Sequence, residues 1–403
     1  MRTSGKFVGA LGALSLVMAA GAAQAELRIG VLVPTTGDLQ AYGESSRNGI
    51  ELALSEINED GGVLGEPAEI FVSDTQTEPQ VGVDAAQRLV AVQGVSALVG
   101  ALSSAVTIPV ASSVSAVEGV PQISNASTSP VMTDLDDNDF LFRTTPSDAF
   151  QGVALAQVAL DEGVESVSII HINNDYGEGL ADAFVEAYED KGGTIAGRTA
   201  FEPGMASYRG ELSNISDGQS PLLVIAYPEN GQTILRQALE GAFFSQFIFT
   251  DGMKSPVIIE NLGAEFLNGS FGTAAEARDD TDAAQHFQSA YEGAYGEVPP
   301  VPYIDTAYDA VYSIALAAVA GESTDPVSIR DNLRVINDPD GEVVGPGEFA
   351  RAVELLDSGM PINYQGASGS VDFDANGDVG GTFAHWEIQD GEYNTLRVFE
   401  PAM

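Results

Sequence analysis

The chain has 403 residues, with 59 acidic side chains against 16 Lys and Arg, a formal charge of −43 and a pI near 4.1. That length predicts two domains, and a hydrophobic content of 44% provides for a real core despite the charge. The absence of cysteine excludes disulfides, thiolate metal sites and cysteine nucleophiles, and the negative charge argues against nucleic acid or an anionic membrane as partner.

Residues 1–25 (MRTSGKFVGALGALSLVMAAGAAQA) combine a basic head at Arg2 and Lys6, an apolar stretch, and the small-x-small site Ala23-Gln24-Ala25. This is the pattern of a cleaved secretory signal peptide, too short and wrongly flanked for a retained span. No other stretch reaches the ~20 apolar residues of a membrane helix, so the mature chain is expected to be exported without membrane insertion.

From there the pattern alternates. Residues 27–33 (LRIGVLV) predict a buried strand, 34–43 a Gly- and Pro-punctuated loop, and the apolar spacing from Glu44 a helix ending before Gly61-Gly62. Strands are expected at 68–74, 95–100 and 120–124, with helices following Pro79 and over 106–117. The rhythm restarts after 143–146 (RTTP). It predicts helices over 149–160, 179–188 and 232–239, and strands at 167–172, 194–201, 221–227 and 246–250. Strands separated by helices imply an α/β fold with a largely parallel sheet in each half. The tail from Gly366 instead shows period-two runs broken by NGD and DGE, the mark of small antiparallel strands.

Open α/β sheets bind ligands beyond the carboxyl ends of their strands. At those places stand Ser103 and Ser104, Ser127 and Thr128, Tyr176, Tyr227 and Asp251. Ser103 and Ser104 could receive a carboxylate at a helix start, although such serines also serve as plain N-caps. Asp251 could face an ammonium or be a turn aspartate, and the tyrosines could line a pocket or close a core. His171, His286 and His385 have no supporting ligand pattern and read as core or surface residues. No dinucleotide fingerprint, phosphate loop, nucleophile elbow or HExxH occurs, so neither an enzyme nor a cofactor is expected. Asp372, Asp374, Asn376 and Asp378 have calcium-loop spacing, but Phe383 stands where the bidentate Glu belongs, which favours a hairpin turn.

These segments together resemble a known family, the periplasmic substrate-binding proteins of branched-chain amino-acid ABC transporters (the leucine/isoleucine/valine type). The resemblance rests on IGVLVPTTGDLQAYG, GIELALSEINEDGGVLG, LVGALSSAVTIPVAS, ISNASTSP, FRTTPSD, NNDYGEGLADAF, YPENGQTILRQALEGA and PYIDTAYDAVYSIALA, which span nearly the whole mature chain. It implies a type I periplasmic-binding-protein fold, with two Rossmann-like lobes joined by three hinge crossovers. The N-terminal lobe would comprise 26–144 and 276–366, and the C-terminal lobe 145–275 and 367–403. It implies a non-catalytic, monomeric protein of the periplasm that closes over an amino acid or related solute and presents it to a membrane permease. A solute-sensing receptor of the same fold is the alternative.

By the same resemblance Ser103 receives the ligand's carboxylate, Thr128 touches both carboxylate and ammonium, and Ala126 and Ser127 supply backbone contacts. Asp251 stands where the leucine binder has a glutamate for the ammonium. Tyr176 and Tyr227 cover the ligand from the second lobe, and Tyr42 and Tyr303 approach its side chain. Asp309 in TAYDAVY is either a cleft residue or a helix-surface residue. Leu102 occupies a position of the disulfide found in some relatives, so that bridge is absent here.

Overall fold

The computed structural model describes residues 26–402; the signal-peptide reading of 1–25 lies outside the described residues. The first sheet contains β1 (Arg28–Val33), β2 (Glu69–Asp74), β3 (Ala97–Gly100), β4 (Gln122–Ser124) and β5 (Leu141–Arg143). Its order is β2-β1-β3-β4-β5, and every neighbouring pair is parallel. The interior strand β1 is apolar on both faces, and Ile29, Val31, Leu32 and Val33 are all fully buried. β2 is an edge strand, exposed at Glu69 and Val72 and half-buried elsewhere.

The chain then enters a second sheet with β6 (Ser166–Ile172), β7 (Thr194–Phe201), β8 (Leu222–Ile225), β9 (Phe247–Phe249) and β10 (Phe271–Ala275). After β10 it returns to the first body, forming the helix Ile304–Ala320 and a small sheet of β11 (Glu342–Val344), β12 (Ile362–Gly366) and β13 (Gly369–Ser370). That helix packs along the helix Gln40–Glu59 and beside β3 and β4, and it is buried nearly all round. A final passage returns to the second sheet with β14 (Phe383–Gln389) and β15 (Glu392–Phe399), giving the order β15-β14-β10-β9-β8-β6-β7. The result is two α/β lobes of Rossmann-like topology, joined by crossovers that the chain makes three times. Among the described residues no helix is long and apolar enough to cross a membrane.

Several expected elements shift at their ends. The first helix begins at Gln40 instead of Glu44, and the helix after β6 begins at Asp175, capped by Asn174. The helix expected over 106–117 is interrupted. It runs from Ser104 to Val110, opens into a wide π-type turn at Ala111–Ser115, and closes by Glu118. Pro109 lies inside it and has no N–H to give, while the Ser112 and Ser113 hydroxyls bond back to the carbonyls of residues 108 and 109.

The tail forms the expected antiparallel hairpin between β14 and β15. Asp390 and Gly391, the two residues of its turn, both have positive φ (55° and 85°), as a type I′ turn requires. The segment around Asn376-Gly377 differs from expectation. It is a tight turn closed by the Asp374 amide on the Asp378 carbonyl at 2.8 Å, with no strand directly flanking it, and its carboxylates hold it in place. Asp374 Oδ1 accepts from the amides of Asn376 and Asp378. Asp378 pairs with the buried Arg143 through Nε (2.7 Å) and Nη2 (2.8 Å).

Candidate functional site

Strand ends of the two sheets meet across one cleft. On the first lobe, β3 ends at Gly100, whose φ of 109° and close approach to the Leu32 carbonyl leave no room for a side chain. The chain then turns through 101–103 into the helix at Ser104. The loop after β4 is fastened to this turn by hydroxyls. Ser124 Oγ donates to the Ala101 carbonyl at 2.7 Å, and Ser127 Oγ lies within 3.2 Å of the Ala101 and Leu102 carbonyls and 2.8 Å from Thr107 Oγ1. The Ser127 amide is taken by Ser124 Oγ at 3.0 Å.

On the second lobe, Asp251 follows β9 in a short 3-10 turn and is 3% exposed. Its Oδ1 accepts from Tyr176 Oη at 2.8 Å and from Gln151 Nε2 at 3.0 Å, and its Oδ2 accepts from Tyr303 Oη at 2.7 Å. Tyr176 and Tyr227 stack with ring centroids 5.4 Å apart. Gly252 sits under Tyr176, where an added Cβ would lie 2.8 Å from the phenol oxygen.

The lobes touch directly. Besides the Tyr303–Asp251 bond, Tyr42 Oη donates to the Gly252 carbonyl at 3.0 Å, Ser103 Oγ and Tyr227 Oη lie 3.2 Å apart, and Asn230 Nδ2 donates to Asp38 Oδ2 at 2.7 Å. Leu39, Tyr42, Leu102, Ser104, Ala126, Tyr176, Tyr227, Asp251, Gly252 and Tyr303 line the narrow cavity of about 20 Å³ between them. No lysine, arginine or histidine is in that lining.

Burial sets the protonation states. It raises the carboxyl of Asp251, against the hydrogen bonds from Tyr303, Tyr176 and Gln151 that pull it down. Burial raises the phenols of Tyr42, Tyr176 and Tyr303 well above their ordinary value, and the Asp251 charge adds to this. These tyrosines therefore remain neutral donors at any physiological pH.

Six of the nine residues singled out from the sequence line the cavity: Tyr42, Ala126, Tyr176, Tyr227, Asp251 and Tyr303. Ser103 reaches it through Tyr227. Ser127 and Thr128 are outside the lining, and Thr128 Oγ1 donates to Asp148 Oδ2 at 2.7 Å. Asp309 is neither a cleft residue nor a surface residue. It is fully buried and accepts from Tyr364 Oη, the amides of Ala367 and Ser368, and the Ser368 hydroxyl. A carboxylate placed there fastens the start of the third crossover to the helix Ile304–Ala320. Sequence reasoning missed Asp148, Gln151, Leu39 and Gly252. Asp148 and Gln151 belong to the segment PSDAFQG, whose only local signal is a Ser N-cap at Ser147. Among the described residues no group of three or more His, Asp or Glu could hold a metal ion.

The pattern of the periplasmic binding protein family matches residues 26–362. The chain belongs to that family. Over 329 residues it is 30% identical to Leu/Ile/Val-binding protein homolog 1 of Brucella suis biovar 1, covering 80% of this chain and 86% of the relative. Its structure is similar to that of the leucine binding protein LivK of Thermotoga maritima, with a TM-score of 0.79, 26% identity, and coverage of 93% of this chain and 99% of that one. The branched-chain amino-acid transporter substrate binding protein LivJ of Streptococcus pneumoniae, solved with isoleucine, superposes with a TM-score of 0.78 at 25% identity, over 94% of this chain and 100% of that one. The fold is thus the type I periplasmic-binding-protein fold, and the family is one of extracytoplasmic solute binders.

Proposed function

We propose that the protein is the solute-capturing component of an ABC importer, that its solute is an amino acid or a related zwitterion, and that it hands this solute to a membrane permease. The lobes that close over the solute are 26–144 with 276–366, and 145–275 with 367–403. The observation that carries the reading is Asp251, a buried carboxylate held only by neutral donors at the meeting point of the lobes. A cation is the natural complement of such a group. Opposite it, the Ser103 hydroxyl and the amides opening the Ser104 helix suit a carboxylate, so a zwitterion spans the cleft and contacts both walls. Tyr176 and Tyr227 cover it, and Leu39, Tyr42, Leu102 and Tyr303 bound its side chain. The relatives whose names refer to leucine, isoleucine and valine support this class of solute.

Closure is a shift between states, so a solute acts only through its stronger binding to the closed form. A thermal-shift screen over amino acids, amides and small carboxylates tests the reading, because a ligand bound by the folded state must raise Tm. An amino acid is expected to stabilise the protein more than its des-amino counterpart. No shift with any zwitterion would sink the proposal.

A further inference from the structure

The bonds of Tyr303 to Asp251, Tyr42 to Gly252 and Ser103 to Tyr227 join groups at the cavity, where a solute competes for them. The bond between Asn230 and Asp38 also crosses from lobe to lobe, and neither of its residues is in the cavity lining. Asp38 adjoins the lining residue Leu39. Asn230 follows the lining residue Tyr227 in the first turn of the helix Pro228–Glu240. The pair therefore sits beside the solute's space without opening onto it.

Each partner is fixed by its own lobe. Asn230 is 4% exposed, and its Oδ1 accepts from the Gly204 amide at 3.0 Å and from Tyr208 Oη at 3.2 Å. Those two donors decide which way the side-chain amide faces. Its Nδ2 is thereby aimed at the first lobe, where it donates to Asp38 Oδ2 at 2.7 Å. Asp38 lies in the loop that leaves β1. That loop is tied down by the Thr35 amide and the Thr36 hydroxyl on Asp74, at 2.9 and 2.7 Å, and by the Leu39 amide on Thr77 Oγ1 at 3.1 Å. Among the described residues the bond to Asn230 is the one hydrogen bond that the Asp38 side chain makes. A carboxylate without a donor in its own lobe gains one when the lobes meet.

We propose that Asp38 and Asn230 form a closure latch, whose strength adds equally to the binding of every solute because it touches none. An amide donating to a carboxylate is a charge-assisted bond, stronger than a neutral one. Both partners are already held in place, so little side-chain freedom is lost when it forms. Parting the lobes breaks it and leaves the Gly204 and Tyr208 contacts of Asn230 intact, so the latch opens without disturbing the packing of the second lobe. Apparent affinity scales with the fraction of protein in the binding-competent form. The latch thus sets overall affinity, while the cavity sets the choice among solutes. This rests on the reading that the lobes close over a solute, and not on which solute it is.

Asn230→Asp tests the latch, because it keeps an oxygen for Gly204 and Tyr208 and turns a second negative charge towards Asp38. Adding Asp38→Asn to that variant restores the pair with the donor on the other side. Small-angle scattering of the ligand-free proteins is expected to give a larger radius of gyration for Asn230→Asp than for the wild type, and the wild-type value for the double variant. Titration calorimetry with L-leucine, L-valine and L-alanine is expected to show a loss of about 10-fold or more in Asn230→Asp, equal for each amino acid bound and recovered in the double variant. Asp38→Ala removes the acceptor from the opposite lobe and stands in if Asn230→Asp does not fold. Single variants that scatter like the wild type, a double variant no better than the single one, or losses that differ widely between amino acids overturn the latch. A wild type that binds none of the three overturns the amino-acid reading of the cleft, and the scattering then decides the latch alone.

Discussion

Tyr303 donates its phenolic proton to Asp251 Oδ2 at 2.7 Å, so a residue of the first lobe satisfies a buried carboxylate of the second. Tyr303 does this from a left-handed conformation (φ 75°) at the start of the helix Ile304–Ala320, with its carbonyl accepting from Asn125 Nδ2 at 3.2 Å. A non-glycine residue pays roughly 1–2 kcal/mol for that backbone, and such strain persists only where the surroundings hold it. The bond is one of the contacts that hold the two lobes together in this structure. Tyr303→Phe is expected to leave each lobe folded and to open the ligand-free protein. Small-angle scattering would show a larger radius of gyration for the variant than for the wild type, and identical curves would refute this.

Asp251 is the residue on which affinity should depend most. Asp251→Ala removes the acceptor and leaves the phenols of Tyr176 and Tyr303 without their carboxylate. Loss of a buried charge-assisted contact costs about 2–5 kcal/mol, which is about 30- to several-thousand-fold in Kd. Calorimetry with the solute found in the screen measures it directly, while circular dichroism should show the fold unchanged.

Arg143 and Asp378 couple the end of β5 to the loop that leads into β14. The guanidinium is 1% exposed and makes a bidentate pair with the carboxylate. Breaking a buried pair from one side strands the other charge, at a cost of about 3–5 kcal/mol. Asp378→Ala should therefore lower Tm by several degrees in differential scanning calorimetry. Asp374→Ala removes only two exposed turn bonds and should change it much less.

Buried carboxyls should make the empty protein more stable in mild acid. Burial raises Asp148, Asp251 and Asp309, and it raises Asp305 to about 6, with repulsion from Asp309 adding to the last. An acid whose pKa is higher in the folded state binds more protons folded than unfolded, so stability falls as pH rises through the folded value. Asp217, held low by hydrogen bonds from Ser220 and Gln219, acts the other way at an exposed site where solvent screens it. Tm is expected to be higher at pH 5 than at pH 8, and saturating zwitterionic solute should narrow the gap.

The net charge of −43 adds a second dependence. Like charges on a compact body repel, and salt screens them over a Debye length of about 10 Å at 0.1 M. Raising sodium chloride from a dilute buffer to about 1 M should raise Tm, and equal values at both would count against it.

Much of the architecture was legible in residue order. Buried strands such as LRIGVLV announce themselves by apolar runs, and helices by spacing and by Pro at their first turn, because burial follows the geometry of each element. The Asp390-Gly391 turn was readable because two consecutive positive φ angles favour that residue pair. Strand ends followed from the same alternation, which is why Asp251, Tyr176 and Tyr227 could be named as candidates. What one-dimensional pattern could not supply was which polar groups end up sharing a dry space. Asp148, Asp251 and Asp309 are all aspartates beside ordinary helix or turn signals. One holds a threonine hydroxyl, one meets the cleft, and one fastens a crossover. Those differences arise from partners 20 to 100 positions away, brought together only by the tertiary fold. A buried carboxylate takes its meaning from the donors around it, and donors are set by distance in space, to which periodicity along the chain is blind.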